Sequence, residues 1–116
     1  MSSISTDPPS VEILVFAGCP NAEPARELVA HVARELAIEP EIRVVVVPDA
    51  EAAQGLRFLG SPSVRVDGRD IEPGAEDRTD CAFSCRIYRT PAGLARQPDE
   101  TWLREALTRR AQALES

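Results

Sequence analysis

The chain has 116 residues, of which 43% are apolar and 28% are charged, as expected for one globular domain. Its net charge of −6 argues against nucleic acid or an anionic membrane surface as the main partner. No apolar run approaches the roughly 20 residues that span a bilayer. The first residues, Met1–Pro9, lack the basic start and apolar stretch of a secretory signal, so we expect a cytoplasmic protein.

The amino-terminal half predicts a strand, a helix and a second strand. Residues 1–10 are rich in Ser, Pro and Asp and predict a flexible tail before a single domain over residues 11–116. Val11–Phe16 is a short apolar run that predicts a buried strand. Apolar residues then recur on one face over residues 21–37, which predicts a helix. Four consecutive valines in Glu41–Val47 predict a strand buried on both faces, as in a parallel sheet.

A short helix and a hairpin are predicted next. Ala50–Phe58 is the predicted helix, with Asp49 as its N-cap and Gly60 closing its end. Two further strands, Ser63–Val66 and Arg69–Glu72, flank an Asp-Gly pair that is a strong signal for a two-residue turn.

The periodicity is lost over residues 73–97, which are rich in Pro, Gly, Asp and Arg and predict an irregular loop insertion. The last helix is predicted from Gln97 to about Leu114. The predicted order is therefore β-α-β-α-β-β-α. This order is typical of an α/β sandwich with a mixed four-stranded sheet, here with a long loop before the last helix.

Cys19 is the most informative residue of the chain, because it lies between a predicted strand and a predicted helix. Backbone N–H groups and the positive end of the helix dipole at such a junction favour the thiolate, which attacks disulfides and binds soft metals. The alternative is a buried structural cysteine, which is common in proteins. In a cytoplasmic protein, an odd count of three cysteines is more consistent with reactive or metal-binding thiols than with a disulfide framework.

Two segments resemble the thioredoxin-like family. Phe16–Ala22 matches the strand-to-helix junction where that family carries its Cys-x-x-Cys motif. Phe58–Val64 is similar to the segment that enters the third strand through a cis-proline. The resemblance implies a thioredoxin-like fold with a cis bond before Pro62. It also implies that Pro62 and its neighbours Ser61 and Ser63 bind the backbone of a substrate.

The chain departs from that family at Ala22, which stands where the second cysteine would be. A dithiol oxidoreductase needs a second thiol to resolve its mixed disulfide. Because the predicted hairpin returns to the end of the sheet that carries Cys19, we expect the following loop to supply it. The candidates are Cys85 and Cys81, and Cys85 is preferred because Arg86 beside it favours a thiolate. Arg86 is also predicted to help bind substrate, although both loop cysteines could be incidental.

Three functions remain open. The first is a thiol-dependent redox protein without a cofactor, acting on a protein disulfide or on a small thiol-reactive substrate through Cys19, Cys85 and Cys81. The second is binding of a soft metal ion such as mercury by Cys19 and Cys85. The third is a non-catalytic binding module that uses the Pro62 edge and the long loop to hold a protein partner.

A resemblance to known proteins also supports the second function. The chain is similar to small bacterial thioredoxin-like proteins that carry an alkylmercury-lyase label. That resemblance implies that Cys19 and Cys85 hold mercury while an acid such as Asp80 protonates the leaving carbon. His31, the only histidine, lies in the middle of a predicted helix, and we interpret it as a surface residue rather than a base or a ligand.

Overall fold

The computed structural model describes the backbone of residues 8–115 and the side chains of residues 8–110. Of the predicted flexible tail, residues 1–7 lie outside this range, and Ser10 already begins the first strand. The elements are β1 Ser10–Val15, α1 Ala22–Glu35, β2 Glu41–Val46, α2 Ala50–Gly55, β3 Ser63–Val66, β4 Arg69–Asp70, β5 Tyr88–Thr90, β6 Gly93–Ala95 and α3 Glu100–Glu115. A 3-10 turn covers Ala75–Asp77. Within the described residues, none of the helices is both long and apolar enough to cross a membrane.

Four strands form a mixed sheet in the order β2-β1-β3-β4. β1 is parallel to β2 and antiparallel to β3, and β4 returns antiparallel to β3. Leu14 near the end of β1 pairs with Ser63 at the start of β3. The sequence predicted this arrangement, in which the residues before β3 lie beside the end of β1. The turn between β3 and β4 has positive φ at both Asp67 and Gly68, as the two-residue turn requires.

The side chains of β1 alternate between two apolar clusters. Val11, Ile13 and Val15 pack on one face of the sheet with α1 and α3, where Val29 and Leu107 are fully buried. Leu14 points the other way and packs in a smaller cluster with Val47, Ala53 and Phe58, beneath α2. The sheet is therefore covered by two helices on one face and by one short helix on the other. The predicted apolar face of α1 is confirmed.

The prediction that β2 is buried on both faces is wrong. β2 is an edge strand, and Val44 and Val46 are 46% and 55% exposed. Four consecutive valines indicate a strand, but a local run cannot show whether that strand has one neighbour or two. Ile42 and Val45 nevertheless pack against the two clusters on opposite faces of the sheet.

The second helix is shorter than predicted. It ends at Gly55 rather than at Phe58, and the left-handed residue after it is Arg57 with φ 55°. Phe58 is fully buried, so it belongs to the core rather than to the helix. Asp49 is the N-cap, as predicted, and its side chain accepts from the Ala52 N–H.

The segment 73–97 is not wholly irregular. It contains the 3-10 turn and the hairpin in which Tyr88 of β5 pairs with Ala95 of β6. These strands have three residues each, which is too short for an alternating pattern to be recognised.

Candidate thiol site

Cys19 lies in the connection between β1 and α1. Its N–H donates to the carbonyl of Phe16 at 3.2 Å, and its own carbonyl accepts from the N–H of Ala22 at 3.3 Å. These two bonds form consecutive tight turns that bring the chain from the strand into the helix. Cys19 is only 8% exposed and contacts the larger apolar cluster, so the thiol lies at the margin of the core.

The bond between Ser61 and Pro62 is cis, as predicted. Ser61 is fully buried, and its hydroxyl accepts a hydrogen bond from the N–H of Phe16 at 3.3 Å. Phe16 in turn accepts from the N–H of Cys19. Ser61 is therefore joined to the Cys19 turn through a single intervening residue. Ser63 is also buried and donates to the carbonyl of Gly60 at 2.6 Å.

Residues 81–86, here called the crossing segment, run along the outer side of this proline turn. The N–H of Ser61 donates to the carbonyl of Ser84 at 2.8 Å, and the N–H of Arg86 donates to the carbonyl of Ser61 at 2.9 Å. Cys85 is therefore paired with Ser61 in a short parallel bridge. One more bond, from the N–H of Ala82 to the carbonyl of Phe58 at 2.9 Å, extends the contact.

The crossing segment also reaches the end of β1 that carries Cys19. The Phe83 ring packs edge-on against the Phe16 ring with 5.9 Å between centroids. The prediction that the late loop starts at the Cys19 end of the sheet is consistent with this contact. Cys85 is exposed and Cys81 is half-buried, and all three cysteines are free thiols. The carbonyl of Cys81 accepts from the Gln54 side chain at 3.3 Å, so its backbone is oriented toward α2.

The side chain of Arg86 anchors the crossing segment to residues at and just after β4. It is 2% exposed, although it carries a guanidinium group. That group donates twice to Asp70, at 2.7 and 3.1 Å, and once to Glu72 at 2.7 Å. A further bond reaches the hydroxyl of Ser63 at 2.8 Å. Burial opposes the charge, but the hydrogen bonds to the two carboxylates prevail and raise the pKa of Arg86 above its ordinary value.

This environment does not favour the predicted role of Arg86 in binding substrate. A guanidinium that is buried and held by two carboxylates serves to fix the chain in position. It also leaves Cys85 beside a charge that Asp70 and Glu72 already compensate, so Arg86 gives weaker support to a Cys85 thiolate than the sequence alone indicated.

Tyr88 and Gly60 complete the attachment. The Arg86 guanidinium lies 4.3 Å from the centre of the Tyr88 ring, and the Tyr88 hydroxyl donates to the carbonyl of Pro62 at 2.5 Å. Burial raises the pKa of Tyr88 well above its ordinary value, so the hydroxyl remains a donor. Gly60 has φ 122°, and a Cβ atom there would lie 2.8 Å from the Cβ of Arg86. The close approach of the two backbones therefore requires glycine.

Asp80, the acid implied by the lyase resemblance, is poorly suited to donate a proton. Arg78 donates to both of its carboxylate oxygens, at 2.9 and 2.5 Å. These hydrogen bonds lower the pKa of Asp80 to about 2. The carboxyl group is consequently ionised at neutral pH.

Among the described residues, a single group of three or more His, Cys, Asp and Glu side chains is close enough to hold a metal ion. It consists of His31, Glu35 and Glu100, all exposed. Arg104 donates to both carboxylates of this group, so its charge is already compensated. His31 lies on the helix surface, as interpreted from the sequence. Within the part of the chain that the structure describes, no cysteine belongs to such a group of three.

Sequence reasoning missed the residues that hold the crossing segment against the sheet: Gly60, Asp70, Glu72 and Tyr88. One signal was available, because Asp70 and Glu72 are two residues apart at the end of a predicted strand. Such residues point to the same side of the strand, and two carboxylates together predict a buried or bound cation.

Comparisons with protein-family models, with curated proteins and with solved structures gave no match for this chain.

Proposed function

We propose that this protein is a thioredoxin-like, thiol-dependent redox protein in which Cys19 is the attacking thiol and Cys85 the resolving one. Two features of the fold support the family assignment. First, the sheet has the strand order β2-β1-β3-β4, and the main helices and strands follow one another along the chain in the order that the resemblance implies. The cis bond before Pro62 precedes β3, beside the turn that carries Cys19.

The observation that carries the proposal is the pairing of Cys85 with Ser61. Ser61 is bonded through its hydroxyl to Phe16, and Phe16 accepts from the N–H of Cys19. The chain thus compensates for Ala22 by bringing a second cysteine to the proline turn from a distant part of the sequence. Cys81 has no comparable bond to Ser61, which favours Cys85 as the resolving residue.

The proposed chemistry is thiol–disulfide exchange. The Cys19 thiolate attacks one sulfur of a disulfide R–S–S–R, which gives a Cys19 mixed disulfide and releases one thiolate that takes up a proton. The Cys85 thiolate then attacks the Cys19 sulfur, which forms a Cys19–Cys85 disulfide and releases the second R–SH. Two electrons pass from the protein to the substrate. A thiol of the cell returns the protein to its dithiol form by the reverse exchange.

Oxidation followed by peptide mapping tests this proposal. The reduced protein is treated with a small disulfide, digested without reduction and analysed by mass spectrometry. We expect a Cys19–Cys85 disulfide in the wild type and in C81S. We expect the C85S variant to accumulate a mixed disulfide on Cys19, because the second exchange cannot occur.

C81S is the matched control, since it removes a neighbouring thiol of the same segment. A disulfide between Cys81 and Cys85, or a Cys19 that stays reduced while Cys85 reacts, would contradict the proposal. Full inertness of all three thiols would favour the non-catalytic binding module.

Binding of a soft metal ion is a second candidate, favoured by the same pairing of Cys85 with Ser61 beside the turn that carries Cys19. It predicts one equivalent of Hg(II) bound by the wild type and C81S, and loss of that binding in C19S and in C85S. The lyase step is not part of this candidate, because the ionised Asp80 does not supply a proton.

A further inference from the structure

We infer that the substrates of the Cys19–Cys85 site are low-molecular-weight disulfides, because the edge that would bind a polypeptide is occupied by the chain's own residues 84–86. This inference rests on the proposed function and concerns the kind of molecule that the site accepts.

An extended polypeptide binds to a sheet edge through free backbone N–H and C=O groups. At the proline turn these groups are already used. The N–H of Ser61 donates to Ser84, and its carbonyl accepts from Arg86. Pro62 has no N–H, and its carbonyl accepts from the Tyr88 hydroxyl. An incoming polypeptide would have to break these bonds before it could form its own.

The crossing segment is firmly held at the proline turn. Moving it away would separate Arg86 from Asp70 and Glu72 and would leave two carboxylates, 11% and 14% exposed, without that partner. Loss of one partner from a buried ion pair is strongly unfavourable. The Phe83 ring would also leave the Phe16 ring. The edge is therefore closed in the resting protein.

A small disulfide does not need the edge. Cys85 is exposed at the outer surface of the crossing segment, and Phe83 beside it is 41% exposed. A small apolar or uncharged substrate can thus contact that ring beside Cys85 without displacing any backbone hydrogen bond, and the 8% exposure of the attacking Cys19 also favours a small reactant.

Two substrates with the same reacting sulfur test the inference. One is bis(2-hydroxyethyl) disulfide. The other is a short linear peptide whose central cysteine is linked by a disulfide to 2-mercaptoethanol. The readout is the ratio of their second-order rate constants, peptide over small disulfide, measured on the full chain.

Gly60→Ala is the variant that should open the edge. Its Cβ would lie 2.8 Å from the Cβ and 2.9 Å from the Cα of Arg86, so the two backbones must separate, and we expect the crossing segment to move away. Gly93→Ala is the matched control, because Gly93 has nearly the same φ, 119° against 122°, but no atom within 4 Å of the added Cβ. The two variants thus share the backbone strain and differ in the clash.

In the wild type and in G93A we expect the peptide to react no faster than the small disulfide. In G60A we expect the ratio to rise about tenfold, the effect of two backbone hydrogen bonds that become available to the peptide. A wild-type ratio already tenfold or more in favour of the peptide would overturn the inference, as would a folded G60A with an unchanged ratio. A wild type that reacts with neither substrate would overturn the proposed function itself.

Amide hydrogen exchange on the wild type keeps the test independent of the folding of G60A. We expect the amides of Ser61, Ala82 and Arg86 to be protected. Exchange of these amides at the rate of an unstructured peptide would show an open edge and would overturn the inference.

Discussion

The two outer edges of the sheet differ in whether another segment of the chain covers them. β2 forms one edge, and within the described residues no strand pairs with its outer side. Its valines at 44 and 46 are about half exposed, and the charged residues Glu41 and Arg43 are its main protection against pairing with another chain. The other edge strand, β4, has only two residues, and on that side of the sheet residues 84–86 pair with Ser61 just before β3.

The ion pairs at the two edges also differ in their burial. Arg43 on β2 makes a partly exposed pair with Glu12, of the kind that contributes little to stability. Arg86 at the covered edge is buried and bonded to Asp70, Glu72 and Ser63. The covered edge is the one beside Cys19, so this buried ion-pair network lies next to the proposed site.

The largest expected effect comes from removing the cation of the covered edge. Arg86→Ala leaves Asp70 without its main partner and should lower the free energy of unfolding by about 3–5 kcal/mol. Arg43→Ala, the matched change at the open edge, should cost about 0–1 kcal/mol. Urea denaturation of both variants measures the two values. Equal losses at the two edges would break the comparison.

A smaller effect is expected from the Tyr88 hydroxyl. Tyr88→Phe keeps the ring against Arg86 but leaves the buried carbonyl of Pro62 without its donor, which should cost about 1–3 kcal/mol. Thr90→Val removes an exposed hydroxyl that bonds the carbonyl of Gly93 and should change stability by less than about 0.5 kcal/mol. Thermal unfolding of the two variants checks this, and a neutral Tyr88→Phe would mean that the bond contributes nothing.

The smallest effect concerns the exposed pair Arg78–Asp80 that precedes the crossing segment. The pKa of Asp80 in the folded state, about 2, lies below the ordinary 3.8, so the pair stabilises the folded state above about pH 4. This contribution is lost as the pH falls toward 2. The difference in urea midpoint between the wild type and Asp80→Asn should therefore be largest at neutral pH and vanish near pH 2. A difference independent of pH would show that the Asp80 charge is not involved.

Local patterns predicted the elements whose signal lies within one element. β1 and α1 follow from the spacing of their apolar residues, and the β3–β4 turn follows from Asp67 and Gly68. Gly60 was misinterpreted, because a glycine after a helix is usually its end signal. Here the glycine is required by the approach of Arg86, a residue 26 positions away in the printed sequence.

For the same reason, only part of the candidate site could be predicted from the sequence. Cys19 and Pro62 stand at junctions that a sequence pattern can mark. The position of Cys85 could be expected at the correct end of the sheet from strand directions, but its pairing with Ser61 could not. The burial of Arg86 could not be predicted either, since an arginine in a polar loop is normally solvated.

By itself the sequence determined the α/β class, the order of the main elements and the cysteine at the start of the first helix, because each depends on neighbouring residues. The tertiary structure alone decided that β2 lies at the edge and that the late segment closes the opposite one. Both depend on which strands become neighbours and on an ion pair between residues far apart in the chain, and no local pattern carries that information.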